Sequence, residues 1–249
     1  MLAQRSSWRA LAIPGLFTSV ALAILVALGV WQLERRAWKA DLIARIEARA
    51  YGEPVPLPAA TLWPEWNATE HEYLRVRAAG VFDHGAETAV HGLMAAERGR
   101  PVQGFYLLTP LRLQDGSAVI VNRGFVPTEL KDPAARPLSQ PRGEVTVIGL
   151  MRAPEKRGWF VPENDPRHEV WFVRDVRAIA EAKGLGPVAP FIIDADATPT
   201  PGGWPRGGQT RLSVPNDHLQ YALTWFGLAL TLIAVFLAFA RRRLKLGAG

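Results

Sequence analysis

Histidine is where a chemical reading of this chain begins. There are five, and there is no cysteine, which removes disulfides, thiolate metal sites, iron–sulfur clusters, Cys nucleophiles and a Cys-based copper carrier in one step. His71-Glu72 has no second His at the fifth position, so the helical zinc-protease pattern fails. His84 and His91 flank Glu87 seven residues apart, a spacing that in a strand puts them on opposite faces and reads as solvated strand residues. Gly202-Gly203-Trp204-Pro205-Arg206-Gly207-Gly208 lacks the Lys and the strand-to-helix setting of a phosphate loop and reads as a flexible linker. No Gly-x-Ser-x-Gly elbow occurs, and the acidic residues of the middle show no spacing that singles out a general acid/base pair.

His218 is different. Pro215-Asn216-Asp217-His218 opens a long apolar run, with Asn216 or Asp217 as N-cap and His218 in the first helical turn. At 100° per residue His218, Tyr221, Ala222, Trp225 and Ala229 share one sector. Gly227, Thr231, Ala234 and Ala238 fall opposite, a small-residue stripe of the kind that packs on another helix. An imidazole in that place can ligate a metal. The plainer alternative is an interfacial polar residue beside an aromatic belt of Tyr221 and Trp225.

The elements that must position these residues begin with two spans. Ala10 to Leu33 carries no charge, and at roughly 1.5 Å per residue it crosses a hydrocarbon core of roughly 30 Å. A second uncharged run, Leu219 to Ala240, ends in Arg241-Arg242-Arg243-Leu244-Lys245, a basic anchor. The order expected is a short N-terminus (1–10), a first transmembrane helix (11–33), an amphipathic extension (34–50) carrying Trp38, Leu42, Ile43 and Ile46, a β-rich domain (51–205), a linker (206–217), a second transmembrane helix (218–240) and a basic tail (241–249). Within the domain, strand character marks Tyr73 to Phe82, Glu87 to His91, Gly104 to Leu113, Ala118 to Val126, Glu144 to Met151, Val170 to Val173 and Phe191 to Ile193. Asp115-Gly116 signals a hairpin. Asp175 to Lys183 reads as one short helix, N-capped by Asp175 and closed at Gly184. The class is an α+β membrane protein, two transmembrane helices flanking an extracytoplasmic antiparallel β-rich domain with a short helix, the strands forming a sheet or small barrel.

The net charge of +6 lies at the ends. Residues 1–40 hold five cations against one acid and residues 206–249 six against one, leaving the middle with 18 cations and 21 acids. That balance denies the broad basic surface a nucleic-acid partner requires. Under the positive-inside rule the C-terminal cluster puts both ends in the cytoplasm, and the short stretch before the first span favours a bacterial inner (plasma) membrane with the domain in the periplasm.

Three blocks carry a family resemblance. Leu28-Gly29-Val30-Trp31-Gln32-Leu33-Glu34-Arg35-Arg36-Ala37-Trp38-Lys39, Val119-Ile120-Val121-Asn122-Arg123-Gly124-Phe125-Val126-Pro127 and Asn216-Asp217-His218-Leu219-Gln220-Tyr221-Ala222-Leu223-Thr224-Trp225-Phe226-Gly227 resemble, in order, the signatures of the surfeit locus protein one family, the cytochrome c oxidase assembly factors. Trp171-Phe172-Val173-Arg174-Asp175 is similar to a further block. Phe125 stands where the family usually has Trp.

The resemblance implies a non-enzymatic membrane protein that binds haem a, with cytochrome c oxidase's catalytic subunit, the haem a synthesis machinery and membrane lipid as partners. It points to His218 as axial ligand to haem iron, and neutral imidazole suits that role. Tyr221 and Trp225 would wall the macrocycle, and Arg35, Arg36 or Arg211 could meet its propionates. Trp31 is a further candidate site residue, marked by its block alone, whereas Asn122, Arg123 and Gly124, closing a strand, are expected to be structural. A cofactor-free scaffold for oxidase intermediates and a membrane-anchored extracytoplasmic enzyme are the competing classes.

Overall fold

A computed structural model describes residues 3–95, 100–210, 212 and 216–246. The chain divides into two units, Met1–Arg45 with Ser213–Gly249, and Ile46–Leu212.

The first unit is a pair of helices, both long and apolar enough to cross a membrane. The helix α1 runs Ala3–Ala50 without a break, through Pro14 and on past the apolar run. Its partner α4 is His218–Leu246. They meet along one seam: Pro14, Thr18, Ala21, Leu25, Leu28 and Gln32 are half-buried on α1, as are His218, Trp225, Leu232 and Phe236 on α4 with Ala222 and Ala229 fully buried between them. Spacings alternating between three and four residues average 3.5, the period that keeps a seam facing its partner in a left-handed pair. Close approach depends on Gly29, where a Cβ would lie 2.5 Å from the Phe226 ring.

This seam corrects the expected packing face of α4. Gly227, Thr231, Ala234 and Ala238 are exposed, and a Cβ on Gly227 would meet nothing within 4 Å. The bulkier sector containing Trp225 faces α1 instead, because Gly29 provides the room there.

The second unit is a β-barrel. Its strands are β1 (Val55–Pro56), β2 (Arg75–Phe82), β3 (Thr88–Met94), β4 (Val102–Arg112), β5 (Ala118–Pro127), β6 (Glu144–Arg152) and β7 (Val188–Ala195). They lie in the order β1-β2-β6-β7-β5-β4-β3, and a further pairing of Val81 and Phe82 with Arg112 and Leu111 joins β2 to β4. Five strands are thereby closed on themselves, which removes their edges. The pairing is antiparallel except for β1 on β2 and β5 on β7.

Alternation builds the interior: Val76 and Ala78 of β2 point inward, with Leu111, Val119, Val121, Met151, Phe191 and Ile193 from the other strands, and Trp63 covers them. The intervening residues of β5 and β7 are buried as well, because a second layer covers the outer face. There Leu108, Ile120 and Ile192 pack against Trp171 and against Val176 and Ile179 of the helix α3 (Val176–Ala182). Each such side chain removed from water stabilises by about 1.5–3 kcal/mol. The Asp175 side chain caps α3 by accepting from Ala178 N at 3.1 Å. A short helix, α2 (Ala68–His71), is capped by Asn67 in the same way.

Two local readings change. Val170 to Val173 is not a strand: Val170 and Trp171 make single bridges, and the Asn164 side chain accepts from Phe172 N and Val173 N at 2.8 and 3.0 Å in place of a neighbouring strand. The Pro- and Gly-rich stretch ending at Gly208 is not a flexible linker. Arg206 bridges Phe125, Trp204 packs beside Phe105 and Val126, and Gly208 N donates to Ala195 O at 2.9 Å. Its glycines permit contact, since a Cβ on Gly207 would lie 2.1 Å from Asp196 O.

Candidate functional site in the helix pair

His218 begins α4 directly after Asp217, whose carbonyl accepts from Gln220 N. Its place on the seam turns the imidazole toward α1, and there it meets Gln32, with Nδ1 2.7 Å from Gln32 Oε1. A carbonyl oxygen only accepts, so Nδ1 is the donor in this hydrogen bond, and in the neutral ring Nε2 carries the lone pair. Among the described residues Nε2 has no hydrogen-bond partner. An imidazole fixed by a hydrogen bond through one nitrogen and open at the other has the arrangement of a metal-ligating histidine with its outer-shell partner. Beside this pair, Asn216 Nδ2 donates to Arg36 O at 3.4 Å.

The other expected residues distribute unevenly around it. Trp225 is half-buried two turns deeper on the same seam, while Tyr221 is 56 % exposed on its flank. Trp31 is 50 % exposed. Arg35 and Arg36 are exposed one turn beyond Trp31 and Gln32, the Arg35 guanidinium 4.4 Å over the Trp38 ring. Arg211 lies outside the described residues. Gln32 was missed: it sits inside the first sequence block, but nothing local marks it, and its partner is 186 residues away.

Asn122, Arg123 and Gly124 lie in the barrel unit. The Asn122 amide bridges two groups, accepting from Gly124 N at 3.1 Å and donating to Asp194 Oδ1 at 2.8 Å. Asp194 is 4 % exposed and also accepts from Arg174 (2.9 Å), Arg152 (3.4 Å) and Thr210 (2.7 Å). Arg123 points elsewhere, into a buried network where Glu87 pairs with both Arg123 and Arg136 and accepts from Thr109 Oγ1. Arg123 also donates to the Ser139 carbonyl and stacks on the Phe82 ring. Burial pulls the Arg123 pKa down, against the pull of Glu87.

The remaining histidines are apart from one another. His84 Nε2 lies 3.1 Å from Pro141 O, whereas His91 stacks on Phe172 at a centroid distance of 4.9 Å and meets the Phe105 ring at 4.5 Å, tilted by 50°. His91 lines a polar cleft of about 320 Å³ with Tyr106, Phe172, Arg174 and Thr210. Burial, and secondarily Lys131, hold its pKa below the usual value. No group of three His, Asp or Glu side chains placed for a metal occurs among the described residues.

Two apolar helices paired through a histidine, and a closed barrel between them in sequence, define a membrane-anchored barrel protein. Residues 19–230 match the SURF1 family. Relatives named surfeit locus protein 1 are 41 % identical in rat over 88 % of this chain and 74 % of the relative, and 42 % identical in human over 81 % and 69 %. A SURF1-like protein of Monosiga brevicollis is 35 % identical over 95 % and 87 %. The chain belongs to the SURF1 family, the non-catalytic assembly factors of cytochrome c oxidase whose signatures its blocks resemble.

The relatives also overturn the cellular setting read from the termini. Eight of the matched relatives come from animals and a choanoflagellate, so a bacterial inner membrane, with ends in its cytoplasm and the barrel in its periplasm, is not the setting they support. The short basic end was too slight a signal for that assignment.

Proposed function

We propose that this assembly factor takes haem a as cargo and holds it through His218 at the mouth of the helix pair, for insertion into the oxidase catalytic subunit. The observation that carries this reading is the hydrogen bond from His218 Nδ1 to Gln32 Oε1, at 2.7 Å. It leaves Nε2 as the ring's donor atom and fixes the plane in which that lone pair points. Haem a brings an iron that accepts an axial imidazole and an apolar macrocycle whose isoprenoid tail suits lipid.

The surrounding residues fit such a cargo. Tyr221 and Trp225 offer aromatic surface one and two turns deeper on the same helix, one exposed and one in the seam. Arg35 and Arg36 supply guanidinium groups one turn along α1, the residue type that pairs best with carboxylates such as propionates. The haem a synthesis machinery is then the source of the cargo, and membrane lipid the medium for its tail.

The test is the visible spectrum of the full chain purified in detergent after co-expression with haem a synthesis. A Soret band is expected that His218→Ala removes or shifts while membrane insertion persists, because the apolar run from Leu219 is untouched. An unchanged spectrum in His218→Ala would overturn the assignment.

A further inference from the structure

In the loop between β6 and α3, Trp159 and Phe160 are 100 % and 102 % exposed. Both occupy the centre of a tight turn closed by Val161 N donating to Gly158 O at 3.1 Å. Large aromatic rings carry the greatest apolar surface of any side chain, and two adjacent ones left wholly in water mark a surface that meets something else.

The loop is held at its base. On one side Glu155 pairs with the Arg174 guanidinium at 2.7 Å and accepts from Arg174 N. On the other, Asn164 is fixed to the backbone of Phe172 and Val173 by three hydrogen bonds. Between these anchors residues 155–160 are all exposed, so a pinned stem carries an apolar tip. The turn also carries Lys156 and Arg157. Arg157 is balanced by Glu163 at 3.3 Å, whereas Lys156 has no ion pair among the described residues.

We infer that this turn is a membrane-interface anchor, in which Trp159 and Phe160 enter the headgroup region of a bilayer and Lys156 faces its anionic groups. Two observations select lipid over another occupant. Trp is the side chain that partitions best to the membrane–water interface, with cations beside it at headgroup level. The stem is also bonded to both ends of the barrel unit, which continue in sequence into the two spans. On the incoming side Arg49 donates to the Thr69 carbonyl, and Glu72, following α2, pairs with Arg152 at the root of the loop. On the outgoing side Thr210 and Arg174 share Asp194, and Arg174 holds Glu155. The two spans already hold the protein to a bilayer, and inserting two rings adds an attachment that is not covalent with either span.

The absence of cysteine makes the test clean. A Pro162→Cys variant of the full chain, labelled with an environment-sensitive fluorophore and placed in nanodiscs containing anionic lipid, keeps both aromatic side chains. The label should shift to the blue and lose intensity when the lipids carry doxyl quenchers. An Ala134→Cys label on another exposed turn should do neither, and Trp159→Ser with Phe160→Ser should abolish the effect on the label at position 162. Quenching at 162 no greater than at 134, or quenching that survives the double substitution, would overturn the inference. So would a shift that appears only when a purified oxidase subunit is added, which would make the turn a protein contact.

Discussion

Gly124 lies against the backbone of Arg206 so closely that a Cβ on it would stand 2.1 Å from the Arg206 carbonyl oxygen, and its φ of +122° is one that L side chains rarely adopt. Phe125 and Arg206 exchange backbone hydrogen bonds at 3.0 and 2.9 Å immediately beside this contact. The pairing register of β4 with β5 slips at the same place, between Leu107 and Leu108. Gly124 is therefore the point at which β5 bends to receive the segment leading out of the barrel.

Gly124→Ala should destabilise the barrel unit by at least about 3 kcal/mol, since strain and a backbone overlap act together. Thermal unfolding and steady-state abundance of the membrane-inserted protein both report this. Wild-type stability with a lost Soret band would instead give Gly124 a part in haem handling.

Glu87 neutralises two buried guanidinium groups, Arg123 and Arg136. Removing the charge leaves both cations without a counterion in a site water does not reach, and a broken buried pair costs about 3–5 kcal/mol. Glu87→Gln should lower the Tm by roughly 10 °C for a unit of this size. A shift of only a degree or two would mean that backbone carbonyls around Arg136 suffice.

His91 gives the barrel a pH dependence of definite sign. Burial, then Lys131, depress its folded-state pKa below the usual 6.5. The unfolded chain therefore binds the proton more readily, and stability contributed by the neutral ring is present above about pH 6.5 and is lost as pH falls toward the folded value. His91→Phe keeps the ring contacts with Phe105 and Phe172 and removes the titration. The Tm difference between variant and wild type should grow in the variant's favour on acidification, and parallel Tm curves would exclude His91 as the cause.

What the sequence disclosed was set by how local each signal is. Asp115-Gly116 between alternating apolar residues marked the β4–β5 turn, where Gly116 takes φ +82° and the Asp115 side chain accepts from Ser117 N. The Asp175 cap marked α3. The closure of β2 on β4 and the parallel pairing of β5 with β7 join residues far apart in the chain, and no periodicity records them. The glycines from 202 to 208 misled because composition cannot distinguish freedom from close contact. In the helix pair the small stripe of α4 looked like the contact face, yet the face is decided by Gly29 on the other helix.

That decision can be tested in the membrane. Gly29→Leu places a side chain where the Phe226 ring already stands, 2.5 Å from a Cβ, and should separate the helices enough to abolish cross-linking between cysteines introduced at Leu25 and Ala229. Gly227→Leu, on the exposed face, should leave cross-linking unchanged. The reverse pattern would restore the stripe as the pairing surface.

Gln32 offers the finest division of the proposed haem site, because it acts on His218 without being a ligand. Gln32→Leu removes the acceptor for Nδ1–H, so the imidazole loses the restraint on its tautomer and ring plane while Nε2 keeps its lone pair. The expected result is weaker haem retention, with affinity reduced by about 10–100-fold as for other outer-shell partners of metal-bound histidines, and an absorption spectrum still of the histidine-ligated type. Gln32→Glu restores an acceptor and adds a negative charge, which strengthens the hydrogen bond and raises the electron donation of the imidazole to the iron. It should therefore recover retention and lower the reduction potential of the bound haem relative to wild type. A merely structural role for Gln32 would move stability in both variants and the potential in neither. Haem titration of the two variants, with a potentiometric titration of the loaded protein, separates these outcomes.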